Sequence, residues 1–280
     1  MKTKILGVEI TNPEKIIYNK LQIKKIDIVN YYNNVAEKML PYVKNRPLSL
    51  IRCHNGVDGE CFFKKHPSTE KDLVKTFTKN GEEYIYITTA KEIVFQAQMG
   101  SLEFHTSGAT VANLEKPNIM VFDLDPDEKM PLDKLREGVE CLKEVIDDVG
   151  LKSYLKTSGG KGYHIVIPFL ESSSWEVFST FANNVALIAE KKYPKIFTSN
   201  IRKENRKNKI FIDYLRNSEG STCVCPYSLR ARESASISMP IKWSELYKIA
   251  PNDINILNYK KFLKRVDPWK GFFEQKQKLY

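Results

Sequence analysis

The stretch Asn118-Ile-Met-Val-Phe-Asp-Leu-Asp-Pro126 decides how this chain is read. Four apolar residues, Ile119 to Phe122, run into Asp123 and Asp125, and a proline stops the run. The pattern predicts a buried strand that ends in a site. Residues two apart on a strand share a face, so Asp123 and Asp125 point one way and Leu124 points back into the core. Two carboxylates this close repel unless a positive charge lies between them. A hard divalent cation such as Mg²⁺ or Mn²⁺, which prefers carboxylate oxygens, meets that need. An ordinary strand-to-turn exit would show the same four letters, so the rest of the chain has to arbitrate.

Two further stretches belong with the first. Residues 153–157 read as a strand, followed by the turn Ser158-Gly-Gly-Lys-Gly162 and the apolar strand Tyr163-His-Ile-Val-Ile167. Glycines let the backbone turn sharply and approach a ligand; successive N–H groups in such a turn, with Lys161, suit an anion. The spacing is not that of a Walker loop, and a strand follows rather than a helix. The basic run Arg202 to Lys209 then leads into Ile210-Phe-Ile-Asp213, a second apolar strand carrying an aspartate. Asp123, Asp125 and Asp213 together could hold two cations and serve phosphoryl displacement. Lys161, the loop N–H groups, His164, Arg206 and Arg230 could hold a triphosphate. No Ser-His-Asp or Cys-His nucleophile arrangement stands out.

Composition agrees. The chain has 280 residues, 42% hydrophobic and 28% charged, as a globular protein with a packed core does. Lys plus Arg is 44 against 34 Asp plus Glu, a net +10 that suits a polyanionic partner. No 18-residue apolar run exists, so no helix is expected to span a membrane. Met1-Lys-Thr-Lys-Ile5 lacks the apolar core of a signal peptide. Five cysteines, odd in number and irregular in spacing, argue against a disulfide framework and for a reducing cytoplasm. Cys53, His54, Cys61 and His66 lack the paired spacing of a structural zinc site.

Elsewhere, residues 3–10 read as a strand and Thr11-Asn-Pro-Glu-Lys15 as a turn. Asp27 is placed as the cap of a helix carrying Ile28, Tyr32, Val35 and Met39. Residues 48–105 read as short strands and turns, with Glu103 and His105 on one strand face. A helix runs through Leu132, Leu135, Val139, Leu142 and Val149 to Gly150. Ser173 and Glu176 read as a capping box for a helix with Val177, Phe181, Val185 and Ile188 inward. Residues 235–239 alternate like a strand and Lys242–Tyr247 begins a helix. A boundary near 115 divides the chain into 1–115 and 116–280.

Phe122-Asp-Leu-Asp-Pro126, Ser158-Gly-Gly-Lys-Gly-Tyr-His164 and Ile212-Asp213 resemble, in order, the three motifs of the archaeo-eukaryotic primase superfamily. The likeness is closest to the polymerase domain of the bacterial ligase D family of non-homologous end joining. It extends from Thr11–Lys15 through Gly59–His66 and Tyr227–Arg230 to Asp267-Pro-Trp269. The resemblance implies an α+β, primase-like fold: an RRM-like catalytic core sheet packed with an N-terminal mixed α/β layer, the active site in the cleft between. It implies that Asp123, Asp125 and Asp213 bind two Mn²⁺ or Mg²⁺ ions and that Ser158, Gly159, Gly160, Lys161, His164, Arg206 and Arg230 bind the NTP or dNTP. It places His105 near the sugar, consistent with a ribonucleotide preference. It assigns Asn12, Lys15 and Lys25 to the 5′-phosphate of a DNA break and Phe62 or Phe63 to stacking on a base. The implied partners are double-stranded DNA ends, gapped DNA with a 5′-phosphate, Ku and an ATP-dependent DNA ligase. Two departures stand out: Arg216-Asn217 where Gln-Asn is common, and a less basic Leu50-Ile-Arg52. Met1 suits a stand-alone polymerase, although such domains are often fused to ligase and nuclease domains. A replicative-type primase, a non-catalytic nucleic-acid-binding module and an Asp-x-Asp glycosyltransferase are the competing readings.

Overall fold

The apolar run Ile119 to Phe122 lies in the second of the four central strands of a six-stranded sheet. The computed structural model describes residues 3–67 and 74–279. It divides into two compact units, and the division is interleaved. One unit comprises Met1–Ala112, Val224–Ser238 and Asn255–Arg265; the other comprises Asn113–Cys223, Met239–Ile254 and Val266–Tyr280. The single cut expected at 115 therefore does not describe the chain: two later stretches return to the first unit. They are tied there by side-chain to backbone bonds, Tyr31 Oη to the Tyr227 carbonyl at 2.6 Å and the Leu229 N–H to Tyr32 Oη at 3.0 Å.

In the first unit, the expected strand over 3–10 is a two-residue hairpin. Leu6 and Gly7 both take positive φ, which folds β1 (Lys4–Ile5) onto β2 (Val8–Glu9). The turn 11–15 leads through β3 (Ile16–Tyr18) and β4 (Ile23–Lys24) into helix α1 (Lys25–Val43). Asp27 is not the cap residue: the helix starts two residues earlier, and Asp27 reaches back from its third position to accept the Lys24 N–H at 2.8 Å. A carboxylate in the first turn suits the helix dipole either way. The central strands are β5 (Leu48–Arg52), which pairs antiparallel with β6 (Phe62–Lys64) on one side and with β9 (Ser101–Thr106) on the other. Between them lie the hairpin β7 (Lys75–Lys79) and β8 (Glu82–Tyr86), and a helix the sequence reading missed, α2 (Ala90–Gln98). Its signal was present: Thr89 accepts the Glu92 N–H, and Glu92 accepts the Thr89 N–H in return, a reciprocal cap.

One cysteine pair departs from the reduced state that the odd count and irregular spacing predict. Cys53 and Cys61 form a disulfide, with Cα atoms 4.3 Å apart. Turns at Gly56 and Gly59 double the segment back between β5 and β6, which brings the two thiols together. Cys141, Cys223 and Cys225 are not disulfide-bonded.

The second unit is a βαββαβ arrangement. Strand β10 (Ile119–Pro126) is followed by helix α3 (Leu132–Asp148), the hairpin β11 (Tyr154–Thr157) and β12 (Tyr163–Pro168), helix α4 (Trp175–Lys192), the short β13 (Phe197–Thr198) and β14 (Ile210–Asp213). The chain leaves through β15 (Cys223–Val224) and returns with β16 (Pro240–Ile241). The sheet order is β13-β14-β10-β12-β11-β16. Its central four strands run β14-β10-β12-β11, all antiparallel, which is the RRM-like order. Met120, Phe122 and Leu124 are fully buried. Each such side chain removed from water stabilises the fold by about 1.5–3 kcal/mol.

Helix α4 begins one residue later than expected, with Ser174 accepting the Val177 N–H at 3.4 Å. Its inward face is also rotated: Trp175, Phe178, Ala182, Val185, Ala186 and Ala189 are buried, whereas Val177 and Ile188 are exposed. Trp175 and three alanines outbid the larger aliphatics because the alanines allow close approach to the sheet. Residues 235–239 form isolated bridges, Leu229 to Ile237 and Ser236 to Asn255, rather than a strand. The helix expected at Lys242–Tyr247 is a 3₁₀ turn over Trp243–Glu245. Among the described residues, no helix is long and apolar enough to cross a membrane.

Candidate active site

Strand register builds the site in the second unit. Asp123 of β10 stands directly between His164 of β12 and Asp213 of β14. His164 in turn stands opposite Lys156 of β11. Asp213, Asp123, His164 and Lys156 thus form one row across the sheet, on the face opposite Phe122 and Leu124. Asp125 lies two residues further along the same face, opposite Phe211. A run of apolar residues ending in Asp-x-Asp creates this row because pairing is antiparallel and in register. A slip by one residue would bury the acids.

Each acid faces a basic side chain of the chain's own. Asp123 Oδ1 lies 3.2 Å from His164 Nε2, Asp125 Oδ2 lies 3.6 Å from Arg206 Nη1, and Asp213 Oδ2 lies 3.1 Å from Arg216 Nε. Burial pushes the Asp123 carboxyl up, but His164, Arg216 and Lys156 outweigh it and hold the group at about 2. Burial would lower the His164 imidazole, yet the Asp123 carboxylate raises it above its ordinary value. The remaining two acids go the other way. Burial and then the charge of Asp123 raise Asp125; burial, against the pull of Arg216, raises Asp213. Cys223, which the sequence reading passed over, completes the array with its Sγ 3.4 Å from His164 Nδ1.

The donor set, three carboxylates on one face, is the kind that hard divalent cations take. In the arrangement seen, however, the oxygens are shared out among Arg206, Arg216 and His164. Among the described residues no three His, Cys, Asp or Glu side chains converge as a ready-made ion cage.

The glycine turn connects β11 to β12 as expected, with Gly159 at φ +66°. A Cβ on Gly162 would lie 1.9 Å from the Leu124 carbonyl oxygen, so the loop sits against the backbone between Asp123 and Asp125. The N–H groups expected to make an anion nest are turned inward. Gly160 and Gly162 donate to Ser158 Oγ at 3.0 and 3.2 Å, and Gly159 donates to the Pro251 carbonyl at 3.0 Å. The serine hydroxyl takes two of those bonds and the Pro251 carbonyl the third. Lys161 is exposed and pairs with Glu128 at 3.1 Å. Arg206 lies 3.6 Å above the Phe211 ring and donates through Nε to the Asn200 carbonyl at 3.2 Å.

The first unit carries two further groups. On β9, Glu103 and His105 do share a face: His105 Nε2 is 2.8 Å from Glu103 Oε2. Arg230 Nε lies 2.9 Å from the same oxygen. Phe63 is 66% exposed, and its ring centre is 6.3 Å from that of His105. Phe62 is on the other face of β6, near His54. The second group is the basic turn. Asn12 adopts φ +49°, its carbonyl accepts the Lys15 N–H, and the Lys25 N–H donates to the Lys15 carbonyl at 2.8 Å. Burial, and then the charge of Lys15, lowers the Lys25 ammonium, as expected where two cations are held together. Gln98 braces the turn, accepting the Thr11 N–H and donating to Thr11 Oγ1.

The sheet order and the row of acids define a primase-like nucleotidyl-transfer fold. The chain belongs to the LigD primase-polymerase domain family, whose model matches residues 24–269. It is 34% identical over 282 aligned positions to the multifunctional non-homologous end joining protein LigD of Pseudomonas aeruginosa, covering 98% of this chain and 34% of that protein. It is 32% identical to the bifunctional non-homologous end joining protein LigD of Bacillus subtilis, covering 85% of this chain and 39% of that protein. The chain therefore spans about a third of the length of these curated relatives. Among solved structures, it is similar to the polymerase domain of Mycobacterium tuberculosis ligase D in complex with DNA. The TM-score is 0.88 at 28% identity, over 96% of this chain and 99% of that one.

Proposed function

We propose that this chain is a DNA-directed nucleotidyltransferase that extends and fills DNA ends during non-homologous end joining, with a preference for ribonucleotides. The observation that carries the reading is the in-register row of Asp213 and Asp123 with Asp125 beside it, in a chain of the LigD primase-polymerase family. Asp123, Asp125 and Asp213 would hold two Mn²⁺ or Mg²⁺ ions. When bound, such ions lower the pKa of a 3′-hydroxyl and neutralise charge on the phosphoryl group being transferred. Arg206 and Arg216 pair with Asp125 and Asp213 and would have to give way to the ions. Lys161 and Arg206 would supply cationic donors for the phosphates of the incoming nucleotide. Ser158 holds the glycine turn in shape, and His164 holds Asp123 from behind.

Lys15 and Lys25, with Asn12 shaping the turn, would bind the 5′-phosphate on the far side of a gap, and the exposed Phe63 would stack on an adjacent base. A Ku-like end-binding protein and an ATP-dependent DNA ligase are the partners such a reaction requires, one to hold the ends and one to seal them.

The test is primer extension on a gapped duplex with a recessed 5′-phosphate, in Mn²⁺, with NTPs or dNTPs, beside Asp125→Ala. Templated NTP addition that needs the 5′-phosphate and vanishes in the variant supports the reading. Robust initiation without a primer would shift it to a primase. Intact DNA binding with no incorporation under any condition would leave a binding module.

A further inference from the structure

The disulfide between Cys53 and Cys61 closes a loop that touches both groups expected at a DNA end. Its two ends differ. Cys53 follows β5, is fully buried and donates its N–H to the Gly100 carbonyl at 3.1 Å. Cys61 is half-buried and leads straight into β6, an edge strand of the described sheet with β5 as its neighbour. Between them, the loop is sewn to the segment around and after the basic turn. The Val57 N–H donates to the Ile17 carbonyl at 2.9 Å, Asn19 Nδ2 to Asp58 Oδ2 at 2.6 Å, and Lys15 Nζ to Asn55 Oδ1 at 3.4 Å. Gly56 takes φ +84°, and a Cβ there would lie 2.9 Å from the Ile17 carbonyl oxygen, so loop and segment meet backbone to backbone. Lys15 on one flank and the exposed Phe63 on the other are thus held through one loop, whose closing cysteines are 8 positions apart.

We propose that Cys53 and Cys61 form a reversible thiol–disulfide switch on DNA-end binding. Oxidised, the pair holds the loop against the basic turn and favours a 5′-phosphorylated end; reduced, it releases Cys61 and β6 and weakens that preference. This rests on the polymerase reading, in which Lys15 and Lys25 meet the 5′-phosphate. A covalent closure over so short a span removes open conformations of the loop. Without it, a short edge strand and a few exposed hydrogen bonds open locally at low cost. Apparent affinity then falls with the fraction of molecules left in the competent arrangement. The chemistry is thiol–disulfide exchange. The thiolate of a low-molecular-weight thiol attacks Sγ of Cys61, the half-buried partner. The S–S bond breaks, and Cys53 leaves as a thiolate and takes up a proton. A second thiolate attacks the mixed disulfide, and Cys61 leaves in the same way. Two electrons and two protons pass to the pair while two small thiols become one small disulfide; that disulfide, in excess, runs the sequence backwards. In the reducing surroundings that the odd cysteine count predicts, such a bond is transient and suits sensing.

The test compares wild type equilibrated with oxidised or with reduced dithiothreitol. Alkylation of the unfolded protein and peptide mass spectrometry should find Cys53 and Cys61 blocked in the first state and open in the second, with Cys141, Cys223 and Cys225 open in both. Hydrogen exchange at the Val57 N–H should quicken on reduction. Fluorescence anisotropy is read on a duplex with a recessed 5′-phosphate and on its 5′-hydroxyl counterpart. The preference for the phosphate should fall by about threefold or more on reduction. Cys61→Ala should match the reduced protein in both buffers; it is a control, used if it melts like reduced wild type, and the two wild-type states decide the matter without it. Open Cys53 and Cys61 in both buffers, unchanged Val57 exchange, or a phosphate preference equal in the two states would overturn the switch and leave the polymerase reading standing. If neither state prefers the phosphate, the 5′-phosphate reading of the basic turn fails and the switch falls with it.

Discussion

Gly162→Ala should disable the site by moving backbone rather than chemistry. The added Cβ would lie 1.9 Å from the Leu124 oxygen and 3.1 Å from the Leu124 carbonyl carbon. Ordinary contact begins at 3.4 Å, so the two segments must part by 3.4 − 1.9 = 1.5 Å. The obstacle is backbone, held in place by Leu124 pairing with Tyr163 on one side and Ile212 on the other, so it cannot rotate away. Overpacking of this kind costs about 1–3 kcal/mol, and a rigid neighbour places it at the upper end. A loss near 3 kcal/mol lowers Tm by roughly 5 °C in a protein of this size. Leu124 lies between Asp123 and Asp125, so both acids shift with it; a displacement of about 1 Å can cost on the order of 100-fold in rate. Gly138→Ala is the contrast. Its Cβ would meet Ile210 Cδ1 at 2.2 Å, but that atom is the end of a flexible side chain. Alanine also gains about 1 kcal/mol of helix propensity within α3. Differential scanning calorimetry and primer extension on both variants decide it. Gly162→Ala within 2 °C of wild type and fully active, or Gly138→Ala the more damaged of the two, would refute the steric argument.

Three further outcomes follow from the charges. His164 has a raised pKa in the folded chain, so its contribution to stability is fully present below about pH 6.5 and is lost as pH rises through the folded value. Asp123 runs oppositely, contributing above about pH 4 and losing that contribution as pH falls toward 2. Urea unfolding between pH 5.5 and 8.5 in chelator should therefore show stability declining with pH in wild type and a flatter profile in His164→Gln; equal slopes would refute the pairing. Lys15→Ala and Lys25→Ala should each flatten the salt dependence of DNA binding by about one unit of log–log slope and remove the preference for a 5′-phosphate over a 5′-hydroxyl, measured by fluorescence anisotropy. Arg216→Gln should change stability by under about 1 kcal/mol, since Arg216 is half exposed, yet tighten Mn²⁺ binding by calorimetry because it frees Asp213. Unchanged or weaker Mn²⁺ binding would contradict the competition between Arg216 and a metal ion.

Much of the second unit was legible because its signals are local. The run into Asp123, the glycine turn and the short strand ending at Asp213 each report their own geometry, and antiparallel pairing then sets them side by side. What resisted reading was decided by partners far away in sequence. The buried face of α4 follows from which side chains allow close approach to the sheet, and amphipathic spacing alone favoured Val177 and Ile188. The environment of Glu103 depends on Arg230, 127 positions later, and that of Cys223 on His164. The hairpin at Leu6-Gly7 shows a further limit, because a positive φ at a leucine has no strong signature in composition. The glycine loop was found but its hydrogen bonding was not, since nothing in Ser158-Gly-Gly-Lys-Gly162 says which acceptor will win the N–H groups.

The way the chain returns to its first unit bears on synthesis. Tyr31 and Tyr32 find their acceptor and donor at Tyr227 and Leu229, and Asn34 bonds Tyr259. A nascent chain emerging from a ribosome thus carries the first hundred or so residues without the segments that finish their core. Those residues must wait until beyond position 259 has been translated, and the second unit likewise takes in Met239–Ile254 and Val266–Tyr280, with Trp269 Nε1 donating to the Leu155 carbonyl at 2.8 Å. Closing loops of this length slows folding more than it weakens the folded state. Cuts in the interleaved stretches, even at exposed positions, would strand the first unit incomplete, so a shortened version of this protein has to keep both returns or lose its amino-terminal half.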